Sequence, residues 1–175
     1  MKNNKKIPTA GFSLLEVLVS VSIFSIILLT IISFIFLIGY YNSKTKAERE
    51  TWENGQRVLE QVINEIRRAK GIYTPTTTQN QLSLETTKYL PQDEVGTFID
   101  FFVCGSALCV KKESQNPVAL TSESVQISNL SFVQIANGLF PSVQITLTVG
   151  YKNPVGGPGG NVSVTLTSTA SLRSY

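Results

Sequence analysis

The chain has no histidine, and it has only one tryptophan, one methionine and two cysteines among its 175 residues. Without histidine, neither a Ser–His–Asp nor a Cys–His catalytic arrangement can form, and the commonest metal ligand is missing. No other catalytic arrangement is visible in the sequence. The sequence therefore predicts a protein that is not an enzyme and that needs no cofactor or metal.

Carboxylates are the remaining candidates for a metal site. Asp93, Glu94 and Asp100 lie in or near a predicted turn, and their spacing matches no known calcium-binding loop. A solvated loop is the favoured interpretation, and a weak calcium site is the alternative.

The excess of positive charge is confined to the first eleven residues. Three of the 15 basic residues lie there without any acidic residue, which leaves 12 basic against 12 acidic residues in the rest of the chain. Residues 71–175 carry 5 basic and 6 acidic side chains. This balance gives no support for a nucleic-acid-binding protein, and no nucleic-acid partner is predicted.

Charge is also absent from a long apolar run, residues 17–41. As a helix this run would be roughly 37 Å long, enough to cross a hydrocarbon core of about 30 Å. A cleaved secretory signal peptide has an apolar region of only about 7–15 residues and a small-residue cleavage site, neither of which fits here. A plain signal anchor does fit the length of the run.

A plain anchor does not explain the carboxylate of Glu16, which lies at the head of the apolar run. A carboxylate in a membrane helix costs a few kcal/mol unless it finds a partner. We therefore interpret Glu16 as a functional residue rather than as part of a simple anchor.

The residues around Glu16 read K-x-x-K-K-x-x-x-x-G-F-S-L-L-E-V-L, from Lys2 to Leu18. This segment, followed by the apolar run, resembles the type IV prepilin signal of bacterial type IV pilins and type II secretion pseudopilins. The resemblance implies cleavage between Gly11 and Phe12 by a prepilin peptidase and methylation of the new amino terminus at Phe12. It also implies that Glu16 acts in assembly, together with other pilin or pseudopilin subunits and an inner-membrane assembly platform.

The chemical properties of Gly11, Phe12 and Glu16 are consistent with the roles that the resemblance implies. Glycine has no side chain to obstruct the approach of an active site to the scissile bond. Cleavage creates an amine at Phe12, which Glu16 of a neighbouring subunit can neutralise, because a desolvated charge left alone is costly. The basic leader should stay cytoplasmic by the positive-inside rule. The expected location is therefore a single-pass protein of the cytoplasmic membrane with its carboxyl-terminal domain outside the cytoplasm, held in lipid before assembly into a filament.

The remaining sequence predicts an α+β fold of pilin type. Residues 44–70 have a helical apolar stripe, so the membrane helix is expected to continue and to lie across an antiparallel sheet. The stripe consists of Trp52, Gly55, Leu59, Val62, Ile66 and Ala69, widened by Val58 and Ile63. The predicted parts are a leader at 1–11, a transmembrane or filament-core helix at 12–41, an amphipathic helix at 42–70 and a β-rich domain at 71–175.

Short strands are expected after Gly71, where the composition changes to Thr, Ser, Gln and Val. A slip in the apolar phase predicts a bulge at Ser128–Asn129. The clearest strands are the alternating segments 143–151 and 162–172, which we expect to form a hairpin beneath the amphipathic helix. The glycine-rich segment 153–160 between them is expected to be a loop.

Cys104 and Cys109 flank a predicted hairpin turn at residues 105–107. In a domain outside the cytoplasm, such a pair favours a disulfide between directly opposite residues, and two reduced small apolar side chains are the alternative.

The order of elements also resembles minor pilins of the W kind and the J-type minor pseudopilin. The segments concerned are V-L-E-Q-V-I-N-E-I-R-R-A-K and P-V-A-L-T-S-x-x-V-Q-I-S-N-L-S-F. The resulting hypothesis is a minor structural subunit of a type IV pilus or a type II secretion pseudopilus. The alternative is a membrane-anchored β-rich binding module, either an adhesin or a DNA-uptake receptor.

Overall fold

The structure is a computed structural model that describes residues 11, 13–88, 92, 95–135, 141–152 and 162–173. Two compact units divide the chain, Met1–Tyr41 and Asn42–Tyr175. One long helix, α1, begins in the first unit and ends in the second, and antiparallel strands make up the rest of the second unit. The predicted α+β layout is confirmed.

Helix α1 spans Leu14–Arg68 and is long and apolar enough to cross a membrane by length and composition. Every side chain described between residues 14 and 41 is exposed, including the aliphatic and aromatic ones. Four hydroxyls in this part donate hydrogen bonds to carbonyls three or four residues earlier in the helix, at 2.7–3.0 Å: those of Ser22, Ser25, Thr30 and Ser33. These four hydroxyls are thus satisfied within the helix, which is required of polar groups in an apolar medium.

The part of α1 in the second unit buries a narrow stripe. Its buried residues are Ala47, Thr51, Gly55, Val58, Val62 and Ile66. The expected stripe is therefore largely confirmed: Gly55, Val58, Val62 and Ile66 are buried, and Leu59 is half-buried against the core. The prediction for Trp52 is wrong, because Trp52 is 46% exposed and the neighbouring Thr51 is buried instead.

Three exposed ion pairs of the i, i+4 kind follow one another along this part of the helix: Lys44–Glu48, Lys46–Glu50 and Arg49–Glu53. Glu53 raises the pKa of Arg49 above its ordinary value, through a hydrogen bond and through charge attraction. Arg57, four residues after Glu53, donates hydrogen bonds to Asn54 and to the carbonyl of Leu120 instead. Exposed pairs of this kind contribute little to stability, because the solvent screens their charges.

Among the residues that the structure describes, eight strands form two antiparallel sheets. The first sheet has five strands in chain order: β1 (Gly71–Ile72), β2 (Gln81–Thr86), β3 (Thr97–Cys104), β4 (Ala107–Lys112) and β5 (Val118–Ala119). The second sheet has three strands in chain order: β6 (Val125–Ile135), β7 (Ser142–Tyr151) and β8 (Ser163–Ser171). The hairpin expected from the two last alternating segments is β7 with β8.

One apolar cluster joins the helix to both sheets. Its largest fully buried side chains include Ile66 of α1, Leu84 and Phe101 of the first sheet, and Ile145 and Leu147 of β7. Strict alternation of apolar and small or polar residues along β7 explains why one face of that strand is buried almost completely. The core of the described residues therefore lies entirely within the second unit.

Gly55 is the point where α1 comes closest to the second sheet. A Cβ atom built on Gly55 would lie 2.8 Å from Cδ1 of Leu166 in β8 and 3.4 Å from Cγ2 of Val149 in β7. Glycine therefore permits a close helix–sheet approach here, and this packing offsets its cost of about 1 kcal/mol in a helix interior.

Hydrogen bonds of Asn54 and Arg57 join the helix to the connection between β5 and β6. Asn54 Oδ1 accepts hydrogen bonds from the backbone N–H of Ser122 at 3.2 Å and from Arg57 at 2.8 Å. Arg57 also donates to the carbonyl of Leu120 at 3.3 Å. These polar contacts fix the side of the helix that faces β6.

Several local predictions can be compared with the structure. The bulge is confirmed, because the register between β6 and β7 shifts between Ile127 and Asn129. The sequence predicts a helix end near Lys70 with closure by Gly71, but the helix ends at Arg68, and Gly71 opens β1. The backbone N–H of Lys70 donates to the carbonyl of Glu85 at 2.8 Å, so a strand contact replaces the expected glycine cap.

Candidate functional site

The amino-terminal site lies at the start of α1. The carbonyl of Ser13 accepts backbone hydrogen bonds from Glu16 at 3.0 Å and Val17 at 3.2 Å, which begins the helix. Gly11 is exposed, and no atom lies within 4 Å of a Cβ built on it. Gly11 therefore has no packing role in the described residues. Phe12, predicted to carry the new amino terminus, and residues 1–10 of the leader lie outside the described residues.

Glu16 occupies the first turn of α1 and is exposed. The amino-terminal end of a helix carries a partial positive charge, so a carboxylate is stabilised there. Within the described part of the chain, none of the ion pairs includes Glu16. The geometry therefore presents a carboxylate at the surface of an apolar helix, where it is accessible to a cation from another chain.

The two cysteines form a disulfide, as predicted, with their Cα atoms 5.8 Å apart. The predicted directly opposite placement is wrong. The turn contains only Gly105 and Ser106, so Cys104 pairs with Ala107 and Cys109 pairs with Phe102. The cysteines are diagonal neighbours on one face of the β3–β4 hairpin, close enough for a bridge. Gly105 has a φ of +64°, a conformation that residues with a side chain rarely adopt. The turn is one residue shorter than the predicted turn at residues 105–107.

The predicted carboxylate cluster is only partly described. Asp100 lies on β3, whereas Asp93 and Glu94 lie outside the described residues. Among the residues that the structure describes, no group of three or more acidic, cysteine or histidine side chains is placed to hold a metal ion.

The second unit also contains a cleft of about 470 Å³ between its two sheets. Its lining is uncharged, with the amide side chains of Asn80, Gln81 and Asn129, the hydroxyls of Thr78 and Ser128, and Phe102. The bulge residues in β6 form one of its walls. Sequence reasoning missed this cleft, because it joins residues that are about 50 positions apart in the chain and no local pattern brings them together.

The sequence model of the prokaryotic N-terminal methylation motif matches residues 8–32. No curated protein and no solved structure matches the chain. The matched segment contains Gly11, Phe12 and Glu16 and the first part of α1. The amino-terminal part of the chain thus carries the prokaryotic N-terminal methylation motif, which supports the assignment of this protein to the type IV pilins and pseudopilins.

Proposed function

We propose that the chain is a minor structural subunit of a type IV pilus or a type II secretion pseudopilus. The observation that carries the proposal is the methylation motif at residues 8–32, directly at the start of the 55-residue helix Leu14–Arg68. In this proposal a prepilin peptidase cuts after Gly11, and Phe12 becomes the methylated first residue. The minor role is supported by the resemblance of residues 58–70 and 117–132 to minor subunits.

The exposure of Gly11 supports cleavage at that position. The glycine precedes the first helical residue by three positions, and no atom from elsewhere in the described residues lies within 4 Å of its Cβ position. A peptidase must bind its substrate in an extended form, and a glycine outside the helix can adopt that form without unwinding α1. The basic leader stays in the cytoplasm, and the peptidase acts at the membrane surface.

Glu16 supplies the assembly contact in this proposal. An incoming subunit places the carboxylate of Glu16 beside the amino group of Phe12 in its neighbour, so each charge neutralises the other in an apolar filament core. Because either charge alone would be costly there, the pair selects one axial register between neighbouring helices. The exposure of Glu16 in the first turn of α1 supports this role.

The remaining parts of the chain have separate roles in the proposal. Residues 1–11 are the leader, residues 12–41 form the membrane and filament-core helix, and residues 42–70 form an amphipathic helix that carries the β-rich domain at 71–175. That domain lies outside the cytoplasm, where the disulfide between Cys104 and Cys109 is stable. The assembly platform in the cytoplasmic membrane moves the subunit from lipid into the fibre.

The test is intact mass and amino-terminal sequencing of the membrane-extracted protein. The chain is co-expressed with an active prepilin peptidase or with a catalytically inactive form of the same enzyme. We expect a chain that begins at N-methylated Phe12 with the active enzyme, and a chain that retains residues 1–11 with the inactive one. A Gly11→Leu variant should remain uncleaved with both, because its side chain obstructs the scissile bond.

Retention of residues 1–11 in the presence of the active peptidase would overturn the filament proposal. The second candidate, a membrane-anchored binding module, would then be favoured. The uncharged cleft of about 470 Å³ supports that alternative, because amides and hydroxyls beside Phe102 suit a neutral polar ligand better than a nucleic acid.

A further inference from the structure

Strand β8 forms one edge of the three-stranded sheet, and the direction of its backbone groups follows from the register. The N–H of Tyr151 donates to the carbonyl of Val162, and the N–H of Leu172 donates to the carbonyl of Pro141, so even-numbered residues bond to β7. The N–H and C=O groups of the odd-numbered residues therefore point away from the sheet. These residues are Ser163, Thr165, Thr167, Thr169 and Ser171.

The two edges of this sheet differ in their protection. Strand β6 has a bulge, and its backbone is bonded to the rest of the domain by Phe132 to Gln79 and by Ile127 to Ser106. Strand β8 pairs with β7 over nine residues without a register shift, and it contains no charge, proline or glycine. Natural edge strands are usually protected by such features. Among the described strands, β8 is a long edge that lacks all of them.

The side chains beside this edge are apolar and incompletely covered. Val164 and Leu166 of β8 face the helix but are only half-buried. On α1, about 100° of rotation per residue places Trp52 and Leu59 on the far side of the helix from Asn54. Because Asn54 faces the connection that leads into β6, this flank faces the β8 edge. Trp52 is 46% exposed there, and Leu59 is half-buried.

We propose that the β8 edge, together with the flank of α1 formed by Trp52 and Leu59, binds an extended, uncharged segment of a partner polypeptide as a fourth strand of the sheet. The outward backbone groups of β8 supply the hydrogen bonds, and alternate apolar side chains of the partner cover Val164 and Leu166. This mode of recognition requires a free edge and a neighbouring apolar surface, and both are present here. The inference goes beyond the proposed function, although the choice of the occupant rests on the membrane insertion in that proposal.

The charge pattern and the symmetry of the pairing identify the occupant as a different polypeptide. Residues 163–171 of β8 carry no charge, so this edge matches an uncharged strand, and Glu48, one turn before Trp52 on the same side of α1, is paired with Lys44. Antiparallel pairing of two β8 strands from two copies would create a twofold axis perpendicular to the sheet. That axis would reverse the direction of residues 42–68 of α1, which is incompatible with two copies that enter from the same membrane surface.

A peptide-binding experiment tests the proposal with the full-length chain in detergent. The probe is a synthetic, end-capped peptide with the sequence of Ser163–Ser171. This peptide is uncharged, and it can pair in either direction because it carries no membrane helix. We expect the wild-type chain to bind this peptide. Thr167→Pro should weaken binding by about tenfold or more, because it removes an outward N–H without touching the bonds to β7. Thr167→Ala keeps that N–H and should bind within about twofold of the wild type.

Two variants that each add one lysine provide a second measurement, which does not depend on how well the proline variant folds. Thr167→Lys places a charge at the edge and should also abolish binding, whereas Thr146→Lys places the same charge on the same face one strand inward and should preserve it. Failure of the wild type to bind the peptide would overturn the proposal, and so would binding by Thr167→Pro and Thr167→Lys that is as tight as that of the wild type. A dimer of the chain that Thr167→Lys dissociates would overturn the choice of occupant.

Discussion

In the proposed filament, Glu16 is the residue on which the contact between neighbouring subunits depends. It combines a favourable place near the positive end of α1 with exposure on an otherwise apolar surface. The helix end stabilises the charge but does not neutralise it. A full positive charge from outside the chain is therefore the natural partner, and the amine that the proposed cleavage would create at Phe12 has the correct sign.

We predict that Glu16→Gln keeps the helix and the membrane insertion but reduces incorporation into filaments by about tenfold or more, because the neighbouring amine loses its partner. The measurement is the amount of processed subunit in sheared filaments, relative to the amount in the membrane. Glu48→Gln is the matched control, since Glu48 is an exposed carboxylate whose ion pair with Lys44 contributes little. Equal incorporation of the Glu16→Gln and wild-type chains would refute the assembly role.

At the scale of the elements, the packing of α1 on the second sheet depends on Gly55. The nearest neighbours of an added Cβ are the end of the Leu166 side chain and a methyl group of Val149. The side chain of Leu166 is half-buried at the β8 edge and can move, whereas Val149 is fully buried in the central strand. Small and large substitutions at Gly55 should therefore have very different effects.

We predict that Gly55→Leu lowers the free energy of unfolding by about 1–3 kcal/mol, because the larger side chain forces the helix and the sheet apart. Gly55→Ala should change it by less than about 1 kcal/mol, since the gain in helix propensity offsets the displacement of Leu166. Chemical denaturation monitored by circular dichroism provides the measurement. Gln56→Leu, at the adjacent exposed position, is the control and should be nearly neutral. A Gly55→Leu chain as stable as the wild type would show that the close approach has no energetic role.

Local patterns are sufficient to predict much of the fold. Alternation along residues 143–151 and 162–172 predicts β7 and β8, and the phase slip at Ser128 predicts the bulge, because both signals are properties of a single strand. The prediction for Trp52 is wrong because helical spacing identifies an apolar side of a helix but not the line along which a sheet contacts it. The register of the cysteine hairpin depends on one turn residue, and a change of one residue alters every cross-strand pair.

The amino-terminal site can be predicted from the sequence, whereas the sites formed by neighbouring strands cannot. The motif around Gly11 and Glu16 is contiguous in the chain, so the order of the amino acids is enough to recognise the resemblance. The uncharged cleft and the β8 edge could not be predicted, because both depend on which strands become neighbours in space. The two-residue strands β1 and β5 are likewise too short to have a periodic pattern of their own.

At the scale of the whole molecule, the apolar core and the apolar surface belong to different parts of the chain. All residues of the buried core cluster lie between Val58 and Leu172. The side chains described between residues 14 and 41 are exposed and contribute nothing to that cluster. The globular part should therefore not require the amino-terminal part for its stability.

We predict that residues 42–175, expressed alone in an oxidising compartment, fold and remain in solution without detergent. The ion pairs at Lys44, Lys46 and Arg49 keep the new amino-terminal turns of the helix solvated. Thermal unfolding should give a midpoint within a few degrees of that of the same unit in the full chain, because the core is unchanged. Aggregation or loss of a cooperative transition would show that residues 14–41 contribute to the fold.

The internal hydrogen bonds of Ser22, Ser25, Thr30 and Ser33 have a further consequence. With these hydroxyls turned back to the helix, residues 17–41 offer their surroundings an almost purely hydrocarbon surface. Such a surface has little preference between fatty acyl chains and the side chains of other helices. The solvation free energy of this segment should therefore be nearly the same in a bilayer and in a bundle of like helices. Such a segment can move from a bilayer into a bundle of like helices and back. Shape complementarity and, in the proposed filament, the charge of Glu16 determine which of the two it occupies.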